Sequence, residues 1–166
     1  MKLLIGGGPR TGKTTLAKAI AAAEGIALTH TDDLMATHAW SEASEEIARR
    51  IVSQPGDWII EGVAVARALR KAIALAEMPS DLQVRWLREP VVARTPGQEA
   101  MAKGCETVWR EILPLLQERG VDVCDCKPEE RTGGGHHHTC PAFEQECACY
   151  ELTGGHQPGC AFARTP

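Results

Sequence analysis

Short apolar runs alternate with longer amphipathic stretches over the first 123 residues. Leu3-Leu4-Ile5, residues 26–30, Trp58-Ile59-Ile60, residues 82–87 and Val121-Asp122-Val123 read as five strands. Between them, apolar residues recur at helical spacing. Leu16, Ala19, Ile20 and Ala23 mark a helix over 14–24. Ile47, Ile51 and Val52 mark a second, capped by Ser41 and stopped by Pro55-Gly56. Val65, Leu69, Ile73 and Ala76 mark a third over 63–77, ended by Pro79. A fourth covers 98–119, with Gly104 and Pro114 as points where it could break. Thr31-Asp32-Asp33 and residues 88–97 read as loops. Strands alternating with helices predict an α/β fold with a parallel five-stranded sheet and helices on both faces. Ligands in such sheets bind at the carboxyl ends of the strands.

The pattern stops after residue 123. Gly, Pro, His and Cys dominate from there on, and no periodicity survives. The expectation is a core over 1–123 and a small Cys/His-rich C-terminal appendage over 124–166. The formal net charge of −4 falls on residues 121–166: residues 1–120 hold fifteen basic and fifteen acidic side chains. A basic nucleic-acid arm is therefore excluded at the C-terminal end. No run approaches the roughly 18–20 apolar residues of a membrane span. The chain enters its first strand directly, which predicts no export signal and a reducing, cytoplasmic setting.

Gly7-Gly8-Pro9-Arg10-Thr11-Gly12-Lys13-Thr14 fits the phosphate-binding pattern G-x-x-x-x-G-K-[ST] between a strand and a helix. The glycines let backbone N–H groups curl around phosphate oxygens, and the helix N-terminus adds positive charge there. Nucleotide binding is thus assigned to Gly8, Pro9, Arg10, Thr11, Gly12, Lys13, Thr14 and Thr15. Lys13 is expected to face ligand and reach the β- and γ-phosphates, with the Thr14 hydroxyl on Mg²⁺. ATP and Mg²⁺ are the implied cofactors.

Asp32 and Asp33 close the second strand. Across from a phosphate loop they suit accepting or orienting the proton of an attacking hydroxyl; the alternative is a helix-capping pair. Glu61 closes the third strand and could organise Mg²⁺ or its waters, or simply end the strand in solvent. Arg67, Arg70 and Lys71 share one helical face and could bind an acceptor's phosphates, or form an ordinary solvated face. Arg88 and Arg94 flank the segment that would carry a lid. Either could stabilise charge on the transferring phosphoryl group; Arg94 is assigned that role first, and Arg88, with Asp33, Arg67 and Arg70, is assigned to bind substrate. Lys103 is a weaker candidate.

Residues 7–15 together with His30-Thr31-Asp32-Asp33-Leu34 resemble the small P-loop kinases, especially polynucleotide kinases and related phage DNA kinases. The resemblance covers about the first 120 residues. It implies a P-loop kinase-like fold and phosphoryl transfer from ATP to a hydroxyl, with Asp32 as general base. Thr31 stands where that family carries Arg. A base hydroxymethyl group, as in the phage kinases acting on 5-hydroxymethyluracil in DNA, therefore ranks beside a polynucleotide 5′-hydroxyl. The expected partner is a nucleic acid or nucleotide, held weakly and salt-sensitively if it is DNA. A small-metabolite or antibiotic kinase and a nucleotide-binding adaptor are the rival readings.

Six cysteines and four histidines fall between residues 124 and 160. With too few aliphatic residues for a core, Zn²⁺ could fold this segment. Cys124, Cys126, His136, His138, Cys140, Cys147, Cys149, His156 and Cys160 are the zinc candidates, and a protein partner could dock on the module so formed. The alternative is a disordered tail.

Overall fold

A computed structural model describes residues 1–75 and 78–125. The chain runs β1 (Lys2–Gly7), α1 (Lys13–Glu24), β2 (Ala27–His30), α2 (Thr31–Met35), α3 (Trp40–Ser53), β3 (Trp58–Gly62), α4 (Val65–Leu75), β4 (Leu82–Leu87), α5 (Pro96–Glu118) and β5 (Asp122–Cys124). All five strands are parallel, in the order β2-β3-β1-β4-β5. The expected α/β architecture is present.

Alternation along the strands sends their side chains to two cores. Leu3, Ile5 and Ile59 pack with Leu16, Ala17 and Ile20 of α1 on one face. Leu4, Trp58, Ile60, Val84 and Trp86 pack with α3, α4 and α5 on the other, where Ile47, Leu69, Trp109 and Ile112 are buried. Burial on both faces is why β1 and β3 read as unbroken apolar runs. The chain leaves β1 toward β2 on one side and later reaches β4 on the other. The loop after β1 therefore opens into the crevice where strand order reverses, the usual ligand position in such sheets.

Several boundaries differ from expectation. The segment after β2 is not a loop: the Ala36 N–H donates to the Asp32 carbonyl (3.0 Å) and closes a short helix, with Asp32 and Asp33 in its first turn and His30 at its N-cap. α3 starts at Trp40, and the Glu42 carboxylate accepts from the Ala39 N–H (3.2 Å) where a Ser41 cap was expected. α5 starts at Pro96 because Thr95 and Gln98 cap each other. The Gln98 N–H donates to Thr95 Oγ1 (3.3 Å), and the Thr95 N–H donates to Gln98 Oε1 (3.1 Å). α5 runs unbroken through Gly104 and Pro114. Pro114 and Arg110 are both exposed, so the carbonyl left without its N–H lies on the solvent side. β5 extends to Cys124, and Asp125 pairs with Arg88, so the core runs two residues past the expected boundary at 123. Cys124, expected as a zinc ligand, is buried in the sheet with Arg85 as its register partner. The remaining zinc candidates lie outside the described residues, as do Ala76 and Glu77 of the expected third helix. Among the described residues, no helix is long and apolar enough to cross a membrane.

Gly62 joins β3 to the turn before α4. Its φ is 144°, and a Cβ there would lie 1.7 Å from Thr31 Oγ1. Side chains rarely adopt that backbone, and Thr31 is fully buried and cannot give way. Gly62→Ala is expected to destabilise the protein by on the order of 1–3 kcal/mol. Urea unfolding would measure this; a midpoint unchanged from wild type would mean that β2 and β3 are not packed as described.

Candidate phosphate-binding site

The loop between β1 and α1 is shaped by contacts at both ends. Gly7 is irreplaceable in place: its φ is 142°, and a Cβ would sit 2.2 Å from the Leu87 carbonyl oxygen. Arg10 has a φ of 64°, a strained value for a side-chain-bearing residue. The Thr11 hydroxyl and the Lys13 ammonium both donate to the Gly8 carbonyl, at 3.1 and 3.0 Å. Outside the loop, the Val91 N–H donates to the Arg10 carbonyl (2.8 Å), and Arg94 Nε donates to the Pro9 carbonyl (2.7 Å). These bonds give the Gly8, Pro9 and Arg10 carbonyls partners and fix the path of the loop ahead of α1. The positive end of this twelve-residue helix points at the same place.

Lys13 is not the exposed side chain the sequence suggested. The residue is only 8% exposed. Burial pushes its pKa below the ordinary 10.5, and the carboxylates of Glu61 and Asp32 restore part of the loss. Glu61 is more buried still, at 3% exposed, which rules out a solvated strand end. Its Oε1 accepts from the Thr14 hydroxyl (3.0 Å) and lies 2.6 Å from His30 Nδ1. Its Oε2 is buried with no partner among the described residues. An unpartnered buried carboxylate oxygen beside a hydroxyl suits a hard divalent cation. Mg²⁺ shared with phosphates needs only one or two protein oxygens, and Thr14 and Glu61 are the pair that could offer them. Among the described residues, no group of three or more His, Cys, Asp or Glu is arranged to hold a metal by itself.

Asp32 and Asp33 are exposed on α2. Asp32 lies close enough to act on the Lys13 charge, so it belongs to this site; the structure gives Asp33 no comparable link. Thr15 is exposed on the first turn of α1. Arg94 packs over the loop, with its Nη2 3.0 Å from where a Gly8 Cβ would be. Burial raises the pKa of Cys105 on α5, while Lys13, Arg67 and Arg94 each pull it down. These three cations therefore lie within electrostatic reach of one buried thiol on α5.

The other basic residues behave differently. The Arg88 side chain is mostly buried and held by Asp125 and Glu106, so the expected substrate-binding role does not fit. Arg70 pairs with Glu111 (3.0 Å), which also removes it as a ready phosphate ligand. Lys71 is held by Glu45 and Ser41. Arg67 has no ion pair among the described residues and lies 5.6 Å from the centre of the half-exposed Trp40 ring. Lys103 is exposed on α5. The sequence gives His30 no role of its own; its polar link to Glu61 spans 31 residues and has no local signal.

No protein-family model and no curated protein matches this chain. Among solved structures it is similar to an uncharacterized protein from Eubacterium ventriosum ATCC 27560, at 13% identity and a TM-score of 0.39. The match covers 72% of this chain and 73% of that one.

Burying the Lys13 charge costs stability. That cost is full below the depressed folded pKa and disappears above the unfolded value of 10.5. Lys13→Met removes it while keeping the volume. In urea unfolding, the variant is expected to equal or exceed wild type at pH 7, with the difference shrinking as pH rises toward 10.5. A variant clearly less stable than wild type at pH 7 would contradict the assignment of a strained, buried charge.

Proposed function

We propose that this protein binds a nucleoside triphosphate with Mg²⁺ and transfers the γ-phosphoryl group to a hydroxyl of a nucleotide or nucleic acid. The supporting observation is the convergence of Lys13, the Thr14–Glu61 pair and Asp32 at one edge of the sheet, under the arginine bound to the loop. On this reading the loop N–H groups and Lys13 hold the phosphates. Arg94 balances charge on the transferring group, and the Asp32 carboxylate takes the acceptor's proton. Mg²⁺, held by Thr14 and Glu61, would neutralise phosphate charge and orient the chain of phosphates.

Exposure of Asp32 on the short α2 favours an acceptor arriving from outside, between α2 and the start of α4. There Arg67 is the cation without a carboxylate partner among the described residues, and Trp40 offers an aromatic face beside it. A planar base carrying a phosphate matches both. The acceptors ranked first are the hydroxymethyl group of a modified pyrimidine in DNA and a 5′-hydroxyl.

Labelled γ-phosphate should move to at least one of hydroxymethylated duplex, free 5′ ends or mononucleosides. Asp32→Asn should lower that rate about 10²–10⁴-fold, the usual contribution of a general base. A fully active Asp32→Asn would remove the base. Release of ADP with no phosphorylated product would favour a nucleotide-hydrolysing adaptor, and transfer only to sugars or drugs would move the acceptor class. Arg67→Ala should raise the KM for a nucleic-acid acceptor and reduce its salt slope by about one. Arg70→Ala should leave both nearly unchanged, since Arg70 is already paired.

A further inference from the structure

Arg88, at the end of β4, sits in a closed polar cluster. Its Nε and Nη2 donate to the two oxygens of Asp125, at 2.8 and 2.6 Å, and its Nη1 donates to Glu106. Each carboxylate has further partners. Trp109 Nε1 donates to Asp125 (3.1 Å), while Trp86 Nε1 (3.1 Å) and Arg110 Nε (2.9 Å) donate to Glu106. The two indoles stack with centroids 4.4 Å apart and planes 5° from parallel. Forked, charge-assisted bonds between largely buried groups leave the Arg88 side chain little freedom.

The backbone of the same residue faces the phosphate loop. The Arg88 carbonyl accepts from Arg94 Nη2 (3.2 Å), and Arg94 Nε donates to the Pro9 carbonyl (2.7 Å). The third nitrogen, Nη1, lies 3.7 Å from Glu99. Arg94 therefore bridges two carbonyls, one on the loop and one whose position is fixed by the Asp125 clamp. We propose that Asp125 and Arg88 are positioning residues for Arg94. On this assignment the residue just before the Cys/His-rich segment sets the position of a guanidinium charge packed over the phosphate loop. The assignment rests on the phosphoryl-transfer reading, since it gives Arg94 its task.

The test is a double-mutant cycle on kcat and KM with Asp125→Asn and Arg94→Ala. Asp125→Asn keeps the size and one acceptor but loses the forked charge pair. It should lower kcat about 10- to 100-fold, as displacement of a positioned group does, with little change in acceptor KM. In the Arg94→Ala background it should have no further effect, because the group it positions is gone. Arg88→Lys keeps the charge and loses the fork, so it should match Asp125→Asn; it carries the cycle if Asp125→Asn does not fold. Losses that multiply between Asp125→Asn and Arg94→Ala would show a merely structural role and overturn the proposal. So would a wild-type kcat in both clamp variants. If the wild type transfers no phosphate, the same cycle is read on ATP affinity by titration calorimetry. A non-additive pair there keeps the clamp while the kinase reading fails, and an additive pair removes the clamp as well.

Discussion

The Glu61 carboxylate is the constraint around which the candidate site is organised. It lies at the end of β3, next to the central strand, almost wholly removed from water. A buried charge of this kind is tolerated only when its surroundings answer it. His30 and Thr14 both approach Oε1, tying β2 and the first turn of α1 to β3. Gly62 follows without a side chain, and the close packing of its backbone on Thr31 holds the β2 end against β3. Lys13 supplies a nearby positive charge that is itself under strain from burial. Among the described residues Glu61 Oε2 is left without a partner, as are Thr31 Oγ1 and an Arg85 nitrogen, and of the three only Oε2 belongs to a carboxylate. An apolar side chain at this position would satisfy the fold better. Retaining an acid there makes sense if a cation completes it.

The same trade recurs around the loop. Arg10 holds a left-handed backbone, Lys13 is buried as a charge, and three cations act on one buried thiol. Each costs stability, and the crowded positive charge would be offset by an anionic ligand. The two packed faces of the sheet absorb these costs. Large fully buried side chains such as Trp58, Trp109 and Ile60 lie beneath the strands whose ends carry the strain.

Much of the fold was legible because it is governed by local pattern. The β1, β3 and β4 runs are continuous or alternating apolar segments, and the loop motif carries its own chemistry. The T-x-x-Q capping box at Thr95 was also present to be read, and missing it shifted the start of α5 by two residues. What could not be read depends on partners far along the chain. Arg88 looks like a phosphate ligand until Asp125, 37 residues away, is seen to hold it. Arg70 loses its place to Glu111, 41 residues away. In each case residue type was informative about chemistry and silent about which neighbour had already used it.

The two sides of the crevice are built to different tolerances, and this bears on where specificity resides. On the loop side, carbonyls are pinned by Val91 and Arg94, Gly7 meets the Leu87 backbone, and the Arg88 cluster braces the end of β4. Such a frame suits a group whose shape never varies, such as a chain of phosphates. On the other side, Asp32 sits exposed on a five-residue helix, and Trp40 and Arg67 face solvent with few polar ties. A surface of that kind adapts to what it meets, so its residues can be exchanged without disturbing the sheet. On the proposed reading, the phosphoryl donor follows from a rigid motif that a sequence displays openly. The acceptor follows from a handful of exposed side chains whose spacing along the chain carries no signature.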